Sequence, residues 1–224
     1  MLLQETDLIF TSHSYKTIIV DIVQKMETGM ADFAHQAATA KGIVYIETIT
    51  DYDLYCHYAA GLVGEGLSRL FSASGKEASW LRDELEISNS MGLLLQKTNI
   101  IRDYREDTDG SRYFWPREIW GKFGFKDMKD MHDPKAAERA QWVQSGMIAD
   151  ALRHVIDCLE YLRCLKNQTI FNFCAIPASM AIATLELCFM NPEMLKKNIK
   201  IRKAVAAQVL RLTRRWKLAY MYLS

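Results

Sequence analysis

At 224 residues, half of them apolar, the chain has enough material for one domain with a sizeable core. Four prolines and eleven methionines favour helices over sheet. Its five cysteines (Cys56, Cys158, Cys164, Cys174, Cys188) are odd in number and form no CxxC pair, which excludes a disulfide framework or a cysteine zinc site and points to small core residues in a reducing compartment. The opening MLLQETDLIF has neither a basic start nor a long apolar run, so no signal peptide is expected. No window reaches the roughly 18 uninterrupted apolar residues of a membrane span.

The net charge of +1 hides an asymmetry: no acid follows Glu193, and the nine Lys and Arg beyond it leave the preceding residues near −8. Such a basic segment is drawn to phosphates or simply exposed to solvent.

In chain order, Ile18, Ile19, Ile22, Val23, Met26, Met30 and Phe33 recur at helical spacing, giving a helix from about Ser14 to Ala38 with a small break at Gly29. Lys41 to Thr50 is β-branched and aromatic and is the one credible strand. From Asp51 the pattern is helical through DYDLYCHYAAGLVGEGLSRLFSAS, with Asp51, Tyr55, Tyr58, Leu62 and Arg69 on one face. Gly61, Gly64 and Gly66 each cost that helix about 1 kcal/mol relative to alanine and so require close approach of another helix or a ligand. A central helix runs from near Ser88 to Gly110. Pro116 starts a short helix after the loop SRYFWP, and Asp133-Pro134 repeats the start signal for a helix to about Leu165 with Val143, Met147, Ala151, Val155, Cys158 and Leu162 buried. The helix containing FNFCAIPASMAIATLEL is apolar almost all round and belongs in the centre of the molecule. Pro177 frees a carbonyl within it, Asn191-Pro192 ends it, and a basic amphipathic helix closes the chain.

The central helix is the informative one. At roughly 100° per residue, Gly92, Gln96, Asn99, Asp103 and Asp107 form a polar seam between apolar flanks. Two aspartates at i and i+4 repel, and they lie at the end of the helix where the dipole disfavours carboxylates. Mg²⁺ removes that penalty, since it takes one or two carboxylates and completes its shell with water and phosphate oxygens. The plainer reading is a solvated acidic turn paired with Arg102 and Arg105. With Tyr55, Tyr58, Phe171 and Phe173 as ring candidates, an all-α bundle around an apolar cavity suits a long apolar diphosphate: ring faces stabilise the cation left when the diphosphate departs.

YCHYAAGLVGEGLSRLFSAS, SMGLLLQKTNIIRDYRED, FWPREIW and NQTIFNFCAIPASMAIATLELC together resemble squalene synthase, the farnesyl-diphosphate farnesyltransferase family of sterol biosynthesis, over roughly residues 14 to 205. The resemblance implies one isoprenoid-synthase-type domain over residues 1–224 and head-to-head condensation of two farnesyl diphosphates to presqualene diphosphate. Mg²⁺- and NADPH-dependent reduction to squalene then follows. It implies Asp103 and Asp107 as metal ligands, Tyr55 and Phe173 as catalytic residues of the first and second half-reactions, and Arg102, Lys200 and Arg202 as cofactor- or diphosphate-binding residues. Gln96, Asn99, Arg112 and Tyr58 join them as substrate-binding candidates. It further implies a monomer at the cytosolic face of the endoplasmic reticulum membrane, with no nucleic-acid partner. The family's first aspartate-rich motif and its C-terminal membrane anchor have no counterpart here; Asp127, Asp130 and Asp133 read as a surface loop. An incomplete chain with impaired activity is therefore expected, cytosolic or touching a membrane surface through its basic C-terminal helix. A non-reductive phytoene or dehydrosqualene synthase, and a non-catalytic helical protein binding a partner or an anionic membrane, are the alternatives.

Overall fold

The computed structural model describes residues 2–39, 46–209 and 211, where every regular element is a helix. α1 (Leu2–Thr39) runs without the expected break at Gly29. That glycine instead makes room for a neighbour, because any side chain at 29 would stand inside the Tyr58 ring. The anticipated strand lies partly in residues 41–45, outside the described ones, and its far end is helical. Thr48 caps α2 (Ile49–Cys56) reciprocally with Asp51: its hydroxyl accepts the Asp51 amide at 3.0 Å, and the Asp51 carboxylate accepts the Thr48 amide at 3.1 Å.

α2 continues through a π turn (His57–Gly61) into α3 (Leu62–Ala73), where the pattern implied one uniform helix. The wide turn faces α4 (Leu85–Arg102) at very close range: a Cβ on Gly92 would strike the carbonyl of Ala60, and one on Gly64 would strike that of Ser88. Helix contact is thus the reason for these glycines, and Gly92 serves packing rather than a polar seam. α4 is the axis of the molecule, packed against α3, the π turn and the later helices at 137–152, 155–164 and 168–188.

α4 does not reach Gly110. It breaks at Asp103 (φ −92°, ψ 11°) and resumes as α5 (Tyr104–Asp109). The buried indole of Trp115 donates to the Ile100 carbonyl at 3.3 Å and so competes with the helix ladder at this point. Tyr104, its ring 4.6 Å from that of Trp115, donates its hydroxyl to the Met128 carbonyl at 2.7 Å. Beyond α5 the left-handed residue is Ser111 (φ 58°), not Gly110. Next come α6 (Arg117–Trp120) and 3₁₀ turns that keep Asp127, Asp130 and Asp133 at the surface as caps.

The helix expected from Asp133 to Leu165 is two, α7 (Ala137–Leu152) and α8 (Val155–Cys164). The two residues between them turn toward polar partners: Arg153 pairs with Asp150 and Asp53, and His154 lies 3.4 Å from the Ser90 hydroxyl. The expected stripe is buried except for Val155, which is half-buried. α9 (Gln168–Cys188), capped by Asn167, contains Pro177 and is long and apolar enough to cross a membrane by length and composition. It packs on α4 as a core helix, yet it is not buried all round, since Phe173, Ile182 and Leu187 are exposed. It ends at Cys188, before Asn191-Pro192, which instead cap a 3₁₀ turn (Pro192–Leu195). Residues 203–209 are helical, and most of the basic helix anticipated beyond them lies outside the described residues. All five cysteines are free, and burial pushes the thiols of Cys158 and Cys174 up to about 12.

Candidate active site

The helix break at Asp103 sets two aspartates one turn apart, with the Asp107 amide donating to the Asp103 carbonyl at 2.9 Å. Each carboxylate is held by a guanidinium. Arg102 grips Asp103 with two nitrogens, Nε at 2.8 Å from Oδ1 and Nη2 at 2.6 Å from Oδ2. Arg112 does the same to Oδ1 of Asp107 through Nε at 3.0 Å and Nη2 at 2.8 Å. Arg112 is aimed by the left-handed Ser111, which lets the Arg112 amide close onto the Asp107 carbonyl at 2.8 Å. Arg102 thus pairs with its chain neighbour, and Arg105 pairs with Asp109 at 2.9 Å. Burial raises the Asp107 carboxyl above the usual range against the pull of Arg112, while the Asp103 hydrogen bonds raise the Arg102 guanidinium.

Beside this array stands an aromatic wall. The Tyr55 ring stacks on Phe114 at 5.0 Å and meets Phe33 edge-on at 5.2 Å. Burial pushes the Tyr55 hydroxyl up to about 12, so it stays protonated at neutral pH. Tyr58, in the π turn, lies 6.5 Å from Phe33 and covers Gly29. Gln96 is half-buried and Asn99 exposed on α4; Lys200 and Arg202 are both exposed.

Phe173 is not at this end. It meets Phe71 edge-on at 6.2 Å, and Phe71 lies sixteen residues beyond Tyr55 on the same helical run. At 1.5 Å per residue that is about 24 Å. Phe171, the fourth ring candidate, cannot share a face with Phe173 two residues away; it is buried and lines an apolar groove with Cys158, Leu162 and Ala175.

Three features have no counterpart in the sequence reading. Phe114 stands in the loop before α6, where only its aromatic character hinted at a role. Asn198 donates from Nδ2 to Asp103 at 2.8 Å and to Glu106 at 3.3 Å, across 95 and 92 residues of chain. Fully buried Lys97 reaches Asp53 and Asp150, each at 2.5 Å, and Arg153 completes the group. Among the described residues no group of three or more His, Cys, Asp or Glu could hold a metal, so any ion here would rest on one or two carboxylates and on the ligand's own oxygens. Asp103 and Asp107 fit that donor set.

A family model for squalene/phytoene synthase matches residues 7–205. The squalene synthase of Ganoderma lucidum is 55% identical over 219 residues, covering 93% of this chain and 47% of the relative. That of Rattus norvegicus is 47% identical over 199 residues, covering 89% and 46%. The solved complex of TcSQS with the ligand BPH1237 superposes with a TM-score of 0.84 at 42% identity, covering 90% of this chain and 57% of that one. A dehydrosqualene synthase in complex with a ligand superposes with a TM-score of 0.69 at 21% identity, covering 89% and 66%, a likeness of fold alone. The chain spans about half the length of the curated relatives it matches.

Proposed function

The chain belongs to the squalene/phytoene synthase family, and we propose that it carries the diphosphate-binding side of a squalene synthase active site built on Asp103, Asp107, Arg102 and Arg112. In this reading two farnesyl diphosphates condense to presqualene diphosphate, which is reduced to squalene. The observation that carries it is the pairing of two carboxylates, one turn apart, each with its own guanidinium. Such an array is poised for exchange: a diphosphate draws the guanidinium groups onto its oxygens and leaves both carboxylates to share a cation with it.

Mg²⁺ bound there would neutralise the leaving diphosphate, and NADPH would supply the hydride for the reductive half. The chain's own residues bind and orient. Arg102 and Arg112 hold the diphosphate, Gln96 and Asn99 extend the polar row on α4, and Lys200 and Arg202 add positive charge for diphosphate or cofactor. Tyr55, protonated and packed between Phe33 and Phe114, offers a hydroxyl dipole and ring faces to a developing carbocation; Tyr58 lies next to it. Phe173 with Phe71 provides a second aromatic station for the later rearrangement. The same reading carries a monomer whose basic segment after Glu193 meets an anionic membrane surface, at the endoplasmic reticulum.

Thermal unfolding of the purified chain with Mg²⁺ and a non-hydrolysable thio analogue of farnesyl diphosphate tests this. Ligand at 100 times its dissociation constant stabilises by about 2.7 kcal/mol, a rise of about 5–10 °C for a chain of this size. Asp103→Ala should abolish the Mg²⁺-dependent part. Equal melting of both proteins with and without ligand would sink the proposal.

A further inference from the structure

Of the two aspartates at the helix break, Asp103 is also addressed, together with Glu106, by a neutral side chain from far along the sequence. Asn198 follows the turn Pro192–Leu195, whose Met194 and Leu195 are buried and which packs against α5. Ile199, the next residue, also rests on the core. Between these anchors the Asn198 amide donates to Oδ1 of Asp103 at 2.8 Å and to Oε2 of Glu106 at 3.3 Å. Its own carbonyl oxygen is buried without a hydrogen-bond partner.

This arrangement is poor as a stabilising device. A buried acceptor left without a partner is costly, and the opposite amide orientation would set that oxygen against two carboxylates. The amide is therefore committed to donating toward Asp103 and Glu106. It also engages one Asp103 oxygen only. Arg102 alone reaches Oδ2, so when its guanidinium leaves, Oδ1 remains held and Oδ2 comes free.

We infer that Asn198 is a positioning residue of the diphosphate site: it holds Asp103 in its rotamer with Oδ2 presented to the ligand, and ties the segment bearing Lys200 and Arg202 to the same carboxylate. This rests on the reading of Asp103 and Asp107 given above. A neutral donor suits the task, since a cation at 198 would compete with Mg²⁺ for Asp103 and an acid would repel it.

The test is a Mg²⁺ titration of the full chain at a fixed concentration of the thio analogue of farnesyl diphosphate, read by thermal unfolding. Without that donor Asp103 is no longer held with Oδ2 toward the ligand, so Asn198→Ala should raise the half-saturating Mg²⁺ concentration about tenfold or more. The unligated melting temperature should stay within about 2 °C of wild type, less than 1 kcal/mol. Asn198→Gln, which keeps an amide donor on a longer arm, should recover most of the loss. Should Asn198→Ala not fold, Asn198→Leu keeps the volume, withdraws the donor and carries the same expectation. A wild-type titration curve for the variants lacking the donor, failure of the Gln variant to recover, or a loss matched by the fall in unligated melting temperature overturns the inference. Asp103→Ala separates the two levels. If wild type responds to Mg²⁺ and Asp103→Ala does not, a normal Asn198→Ala sinks the positioning role alone. If wild type itself gives no Mg²⁺ response, the diphosphate reading fails and takes this inference with it.

Discussion

Asp107 is pulled two ways: burial raises its pKa and Arg112 lowers it, with burial the larger. The folded protein thus holds this proton more tightly than the unfolded chain does. Its contribution to stability is greatest below the ordinary carboxylate range and is lost as pH rises through the raised folded value. Asp107→Asn should therefore be at least as stable as wild type near pH 7 without ligand, the advantage shrinking toward about pH 4; thermal melts across that range check it. Loss of the charge on the half-exposed Arg112 pair detracts little. Lys97 is the opposite case. Removing it leaves Asp53 and Asp150 with only Arg153, so Lys97→Met should cost about 3–5 kcal/mol in urea unfolding, and adding Asp150→Asn should return part of that. Asp103 and Asp107 stand out in the sequence by their i, i+4 spacing, whereas Arg112 enters only through the family resemblance. Lys97 shares its stripe with Leu93, Leu94, Ile100 and Ile101, a position that already marks it as buried. Asn198 had no such signal, since its partners are distant in sequence.

Helices were visible in the apolar periodicity, and their interruptions were not. Gly29 suggested a break that does not occur, because a side-chain-free position was needed by Tyr58. The breaks at Asp103 and at Arg153–His154 occur without Gly or Pro, imposed by Trp115 and by the buried charges around Asp53. Their causes are tertiary, and local propensity cannot register them. The contact between α4 and the π turn gives a direct check. Alanine favours a helix over glycine by about 1 kcal/mol. At position 92, however, its Cβ would collide with the Ala60 backbone, which cannot swing aside as a side chain would. Gly92→Ala should be net destabilising by about 1–3 kcal/mol, measured by urea unfolding.

At the scale of the molecule, Tyr55 and Phe173 belong to opposite ends of one helical run. Both rings are visible in the sequence but their separation is not, because the pairings Tyr55–Phe114 and Phe71–Phe173 are both long-range. Two sites so far apart without shared partners should act independently: the stability changes of Tyr55→Phe and Phe173→Ala should add to within about 0.5 kcal/mol in the double variant. Their relative orientation depends on the π turn between them. A π turn holds one residue more than an α turn, so the sequence on either side runs in different angular phase. The wider turn absorbs that residue in space, so α3 leaves it facing much as it would after an unbroken α-helix one residue shorter. Converting the π turn to α geometry without removing a residue would instead swing α3 by roughly 100° about its axis relative to α2, turning Phe71 away from Phe173 while Tyr55 kept its neighbours. The π turn is thus a take-up link: it stores one residue of chain length and leaves each end of the run in its place.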